Sequence, residues 1–231
     1  MLNSAIVIKM KQRLNKLDSQ DYDNIECWQV VESFNKAQVE WSRRQLHGIN
    51  LTKEGDEQST RRKDDLQVLL NTSDLTLADK AYYYRAPLPV DYLQWKRVDV
   101  YAKKGCCDKR RMTVYLAEEG NLNQLLRDKS KQPSFEWAET FTTMYFDRFK
   151  VYTNDKFKVT KAVLYYYRKP ADISFDGCVN PSTGQSSTEQ ICELRDDVVE
   201  IIIDEAVAIL AGDMDNFNQY QRNLQNGQRN S

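Results

Sequence analysis

Histidine is nearly missing from this chain: His47 is the only one in 231 residues. A catalytic Ser or Cys needs a base within hydrogen-bond reach. His47 falls at the predicted end of a helix, where a cation suits the dipole and a surface role accounts for it. The five cysteines (Cys27, Cys106, Cys107, Cys178 and Cys192) include no C-x-x-C pair. Without closely spaced ligands a zinc site is not expected. Their odd count and irregular spacing favour buried thiols in a reducing compartment, with vicinal Cys106-Cys107 marking a loop. Net charge is lacking as well. Thirty-three basic residues against 34 acidic ones leave −1, so no global field steers the chain toward nucleic acid or anionic lipid. No apolar run approaches the ~18–20 residues that cross a bilayer. Near the N-terminus the lysines follow the apolar segment, the reverse of a signal peptide.

Phosphate-binding glycine loops and G-x-S-x-G are absent too. Carboxylates pair at Asp64-Asp65, Glu118-Glu119, Asp196-Asp197 and Asp204-Glu205. Neighbours on a helix diverge by roughly 100°, so none of these pairs makes an acid/base dyad by itself. The expectation is a non-enzyme with no catalytic residue, metal or cofactor.

What is present is an ordinary soluble composition, 41% hydrophobic and 29% charged, long enough for one large domain or two small ones. The clearest local signal is the stretch 146–170. Phe149, Val151 and Thr153 alternate with polar residues, Asn154-Asp155-Lys156 reads as a turn, and Phe157 and Val159 resume the alternation. That pattern predicts a half-buried hairpin whose second strand runs through Tyr165-Tyr166-Tyr167 to Pro170. Upstream, Trp95 to Lys103 and Arg110 to Leu116 predict another hairpin across Gly105-Cys106-Cys107. Shorter strand-like runs lie between 66 and 85, and Pro87 to Tyr92 reads as a tight extended turn.

Helical spacing flanks the strands. Ile6, Met10, Leu14 and Leu17 predict a helix over 4–17. A second, from about 23 to 46, has Trp28, Val31, Phe34 and Trp41 as its stripe, Ile25, Val30 and Ala37 beside it, and Gly48 after its end. A short helix is expected over 121–128. A long one from about Leu194 to Met214 is apolar on most sides except Glu200, Asp204 and Glu205, and therefore buried against more than one neighbour.

The predicted architecture is α+β: an N-terminal helical hairpin (1–48), an antiparallel β-sandwich or partly rolled barrel (49–190), a C-terminal helix packing on the hairpin (191–215), and an extended polar tail (216–231). In the tail, Phe217, Tyr220 and Leu224 are the candidate anchors for a partner.

Two clusters invite a binding role. Arg61-Arg62-Lys63 is followed at once by Asp64-Asp65 and reads as a solvated loop. Lys103, Lys104, Lys109, Arg110 and Arg111, with Lys96-Arg97, Trp95 and Tyr101 nearby, are candidate nucleic-acid contacts, although lysines guarding a sheet edge give the same pattern. The aromatics of 135–145 read as sheet packing rather than a sugar platform. A carbohydrate site on Tyr82 to Tyr84 or Tyr165 to Tyr167 is a third possibility.

Several segments together resemble the ring, or head-to-tail connector, proteins of crAss-like short-tailed bacteriophages. They are 17–19 through Trp41-Ser42-Arg43-Arg44-Gln45-Leu46-His47-Gly48; 61–70; Leu88-Pro89-Val90-Asp91-Tyr92-Leu93; Tyr165-Tyr166-Tyr167-Arg168-Lys169-Pro170; and Ile203-Asp204-Glu205-Ala206 through 218–222. The resemblance implies a virion structural protein, assembled in the host cytoplasm. The resemblance also implies a closed ring of about twelve copies, which a head-to-tail contact that closes would make. That ring would sit below the portal and above further tail or ring proteins, and the 217–231 tail would dock on the portal. DNA would pass through the lumen without sequence recognition, which near-neutral charge suits. The alternative from the residues alone is a nucleic-acid-binding module using 96–111. No membrane contact is expected.

Overall fold

A computed structural model of the chain describes residues 1–14, 25–47, 64–179, 181, 184–213 and 225. The chain is α+β and divides into two compact units: Leu70–Arg168, which holds all the strands, and Met1–Leu69 with Lys169–Ser231, which holds the three long helices. The segment 169–190, grouped with the strands on sequence, clusters with the helices.

In the helical unit, α1 (Asn3–Leu14) buries Ile6, Met10 and Leu14, the predicted stripe. Leu17 lies outside the described residues. In α2 (Cys27–His47) the buried stripe is Val30, Phe34, Ala37 and Trp41, while Trp28 and Val31 are only half-buried. The last helix of the unit (Asp196–Asp213, α4 in chain order) is apolar nearly all round because α1 and α2 both pack on it. Their principal contacts run through this helix rather than along a mutual seam. Its three polar exceptions are each paired: Glu200 with Lys9 and Arg13, Asp204 with Arg13 at 2.8 Å, and Glu205 with Arg44.

Between β8 and α4 in sequence, the described residues of 169–195 form an irregular strap without a continuous ladder. Side-chain amides take the ladder's place. Asn35 accepts from Ile173 N (2.8 Å) and donates to Ile173 O (3.2 Å), Gln38 donates to Ala171 O (2.9 Å), and Asn3 donates to Ser174 O (3.0 Å) and Gln190 O (3.1 Å). Buried backbone groups outside regular structure need such partners. A disulfide joins Cys27 at the start of α2 to Cys178 in the strap, with their Cα atoms 5.9 Å apart. The expectation of buried thiols fails here, because spacing along the chain carries no information on a contact 151 residues apart. Cys106 and Cys107 are exposed and only Cys192 is a buried free thiol.

The β unit is one mixed, eight-stranded sheet: β1 (Leu70–Asp74), β2 (Ala78–Asp79), β3 (Tyr83–Pro87), β4 (Tyr92–Lys103), β5 (Arg110–Leu116), β6 (Glu139–Tyr145), β7 (Arg148–Tyr152) and β8 (Lys158–Arg168). The order is β1-β8-β4-β5-β6-β7-β3-β2, antiparallel throughout except for β5 with β6. Between those two lies the short helix α3 (Leu122–Arg127), as expected from 121–128. The sheet curls. Trp95 of β4 stacks on Phe149 of β7 at 6.1 Å across the concave side, although β5 and β6 separate them along the ladder. Register shifts between β4 and β8 at Tyr92/Gln94, Trp95/Arg97 and Tyr101/Ala102 bend the longest strands, as bulges do. A partly rolled sheet is thus observed, not two facing sheets.

The predicted β4–β5 hairpin is present, with Val100 opposite Met112 and Tyr101 opposite Arg111. The predicted β7–β8 hairpin is not. β7 pairs with β6 and β3, and β8 pairs with β1 and β4. Asn154 and Asp155 do turn the chain, both at positive φ. However, Thr153 N and Asn154 N donate to Tyr82 O, and Phe149, Val151, Phe157 and Val159 share one core. The turn therefore carries the chain across the curl instead of into the next lane. Alternation identified β7 and β8 but is silent on which strands pair, and the strand-like run from Leu66 is helical up to Leu69.

Candidate functional site

The sheet register gathers five strand ends at one end of the β unit: the last residue of β4 (Lys103), the first of β5 (Arg110), the first of β6 (Glu139), the last of β7 (Tyr152) and the first of β8 (Lys158). Loops 104–109, 128–138 and 153–157 crown this end. Every candidate nucleic-acid contact from the sequence lies on it or on the adjoining outer face.

Those cations are mostly engaged within the fold. Arg111 pairs with the buried carboxylate of Asp99 at 2.7 Å, which raises the guanidinium pKa further. Arg110 donates to the carbonyls of Phe135 (3.1 Å) and Glu136 (2.9 Å) and lies over the Phe135 ring at 5.3 Å. Lys104 pairs with Glu136, and this contact is the main reason the Glu136 carboxyl titrates below its usual range. Lys109 sits 5.0 Å over the Tyr101 ring, Arg97 4.2 Å over Tyr165, and Lys96 5.7 Å over Tyr167. Cations resting on tyrosine faces along a solvated sheet are a stable surface arrangement. Lys103 alone of the five makes neither an ion pair nor a ring contact among the described residues.

Beside this cluster opens a cleft of about 450 Å³. Lys129, Ser130 and Gln132 line it from the loop after α3, Trp137 from the turn before β6, Glu139 from the first position of β6, and Lys156 from the turn before β8. Asp128 accepts from the hydroxyl (2.6 Å) and backbone N–H (2.9 Å) of Ser130, bonds that hold its pKa down and fix the loop. Sequence reasoning missed this cleft. Trp137 sits within an apparent strand-packing run, and nothing in its neighbours' pattern says that it points outward.

The opposite end of the sheet has a different character. The turns after β3, β5 and β6 meet there, since Leu116 pairs with Thr142, Tyr145 with Arg148, and Pro87 with Arg148. Val90, Leu116, Tyr145 and Phe146 are exposed on them, Phe146 by 93%. The sheet-packing reading of 135–145 thus holds for Phe135 and Phe141 and fails for Trp137 and Tyr145.

Phe217, Tyr220 and Leu224 lie outside the described residues, as does the Arg61-Arg62-Lys63 cluster. His47 is the last residue of α2. Among the described residues no three His, Cys, Asp or Glu side chains converge as metal ligands, and no helix is long and apolar enough to cross a membrane. No family model matches the sequence, and comparison with curated proteins finds no match.

Proposed function

We propose that the chain is a virion structural protein, one copy of a ring in the head-to-tail connector below the portal that extends the DNA channel toward the tail. The observation that carries this reading is the apolar rim formed by Val90, Leu116, Tyr145 and Phe146 at one end of the sheet. The chain is otherwise strongly hydrophilic, with a mean hydropathy of −0.71. Exposed apolar residues gathered on one edge of such a surface mark a contact with another protein. The far end of the same sheet is polar and lysine-bearing, so the two ends differ chemically. A brick with two unlike ends suits layers above and below, and unlike flanks suit a head-to-tail contact that closes. The resemblance of segments 17–48, 61–70, 88–93, 165–170 and 203–222 to connector proteins points the same way.

The nucleic-acid reading needs free cations along one groove. Arg110, Arg111 and Lys104 are tied to carbonyls and carboxylates, which weakens it.

The test is the mass of the purified protein by light scattering, alone and with the portal, together with negative-stain images of any large species. Rings alone or on the portal are expected, and Phe146→Asp should weaken the contact with the adjoining layer while leaving ring closure by the flanks. Strictly single-copy protein in both conditions overturns the proposal. Full portal binding after deletion of 215–231 would remove the tail's assigned role but leave the ring.

A further inference from the structure

Trp137 is 81% exposed, while Phe135 and Phe141 on either side are buried. Leaving an indole in water forgoes the burial of a side chain of roughly 150–250 Å². Yet the turn that displays it is held firmly. Ser134 N donates to Glu139 O (2.9 Å) and Glu139 N to Ser134 O (3.0 Å). Trp137 N donates to Ser134 Oγ (3.3 Å), Arg110 holds the carbonyls of 135 and 136, and Lys104 holds the Glu136 carboxylate. Ala138 closes the turn at φ +54°, a conformation that an L-residue adopts only under constraint. A planar ring held out on a braced turn loses little freedom when something stacks on it.

The other walls of the cleft specify the ligand's chemistry. Small-molecule pockets are mostly apolar with a few polar groups, and this one is the reverse. Lys129 and Lys156 line it, and neither makes an ion pair among the described residues. Glu139 offers acceptors, and Gln132 and Ser130 offer donors and acceptors. One aromatic face, two ammonium groups and several hydroxyl-bonding groups match a polyhydroxylated ring that carries a single negative charge.

We propose that the cleft binds an acidic saccharide, a glycan bearing a uronic or sialic acid. The sugar ring lies on Trp137, its carboxylate faces Lys129 and Lys156, and its hydroxyls meet Glu139 and Gln132. A polynucleotide fits less well, because the cleft offers a single aromatic face for its bases and the Glu139 carboxylate would meet a phosphate. This site is independent of the ring proposal, since all its residues belong to one copy's β unit.

The test uses the full-length protein on an array of acidic and neutral glycans, with an eight-residue oligothymidylate as the polynucleotide arm. Hits are measured by calorimetry. Acidic glycans are expected to bind and their neutral counterparts to stay dark. Trp137→Ala should weaken binding several-fold, up to about tenfold, as loss of a ring stack does. Trp137→Phe should retain most of the affinity, and Lys156→Gln should reduce the salt dependence without abolishing it, since Lys129 remains. Circular dichroism melts check that each variant is folded, which the exposure of Trp137 favours. An array dark for acidic glycans overturns the proposal. So does binding that persists unchanged in both Trp137→Ala and Lys156→Gln. Oligothymidylate binding that depends on Trp137, with acidic glycans dark, overturns it in favour of nucleic acid.

Discussion

The two units of this protein hold their shape by different means. In the β unit the backbone is satisfied by a ladder of eight strands, and stability comes from the concave face, where Trp95, Phe149, Val151, Leu164 and Tyr166 meet. In the helical unit the α1–α4 and α2–α4 contacts are apolar at their centre and edged by ion pairs, but the described residues of the strap 169–195 have almost no ladder and are clasped by Asn3, Asn35, Gln38 and a disulfide. One region rests on many interchangeable apolar contacts. The other depends on a few polar and covalent ones, each with a single geometry. Single substitutions should therefore expose the difference.

The largest effect is expected from Phe149→Ala. Phe149 is fully buried and stacks across the curl, and emptying such a site costs about 3–5 kcal/mol. Urea denaturation followed by hydrogen exchange should show protection lost in β4, β7 and β8 first. If α4 loses protection at the same urea concentration, the two units are one cooperative body and the contrast between them collapses.

Reducing the disulfide comes next. A cross-link that closes so long a loop stabilises by about 2–4 kcal/mol, and Cys27→Ser should lower the helical unit's transition by that much. The β unit's transition should not move. Alkylation of the denatured, unreduced chain should label Cys106, Cys107 and Cys192 and spare Cys27 and Cys178. Labelling of all five would remove the covalent clasp altogether.

Gln38→Ala tests the polar clasp. Gln38 is fully buried, and its loss strands Ala171 O without a donor and removes the bond to Asn35 Oδ1 at 3.2 Å. An orphaned buried acceptor costs about 1–3 kcal/mol. Amide exchange should accelerate across 171–174 while α2 itself stays protected. A variant as stable as the parent would mean that the strap is held by its apolar members, such as Ile173.

The same contrast explains what was legible in the sequence. Helices write their burial at spacings of three and four, so Ile6-Met10-Leu14 and the apolar body of 198–211 were readable, as were β4, β5, β7 and β8, whereas the strand-like run from Leu66 is helical up to Leu69. Pairing was readable only where a short loop forces it, as at Gly105-Cys106-Cys107. Asn154-Asp155 looked like the same signal, but the turn spans the curl, because long-range packing of Phe149 on Trp95 outweighs local preference. The parallel β5–β6 pair, the Cys27–Cys178 bond and the amide clasps join residues 26 to 187 positions apart and leave no periodic trace. Of the candidate residues, Lys103 to Arg111 lie at the ends of two interior strands rather than along a free sheet edge. Their partners, Asp99, Glu136 and two carbonyls, were not foreseeable from charge alone.

Tyr166 provides a smaller test inside the β unit. Its hydroxyl donates to Asp91 at 2.8 Å and accepts from Asn71 at 3.3 Å, joining β8, β1 and the turn before β4. Burial, reinforced by the Asp91 carboxylate, pushes its pKa up to about 12. A raised folded-state pKa means that the contribution is whole below the ordinary tyrosine range near 10 and is lost as pH climbs through about 12. Ultraviolet titration should show one tyrosine fewer ionising late in Tyr166→Phe. The substitution should cost about 0.5–1.5 kcal/mol at neutral pH, because Asp91 is only half-buried and regains water.

The smallest effect is expected from Glu205→Gln in the helical unit, and its sign is more informative than its size. Burial raises the Glu205 carboxyl pKa, and the Arg44 guanidinium offsets only part of that. One carboxylate oxygen, Oε2, is buried with no hydrogen-bond partner among the described residues. An acid whose folded pKa is raised favours the fold most when protonated, so its contribution declines as pH rises from the ordinary carboxylate range through the raised value. Relative to the parent, the Gln variant should therefore gain stability between pH 4 and pH 7, by about 1 kcal/mol or less since Arg44 loses its ion pair. If the parent gains instead, the ion pair outweighs burial, and the polar contacts that clasp this unit extend into its apolar seam.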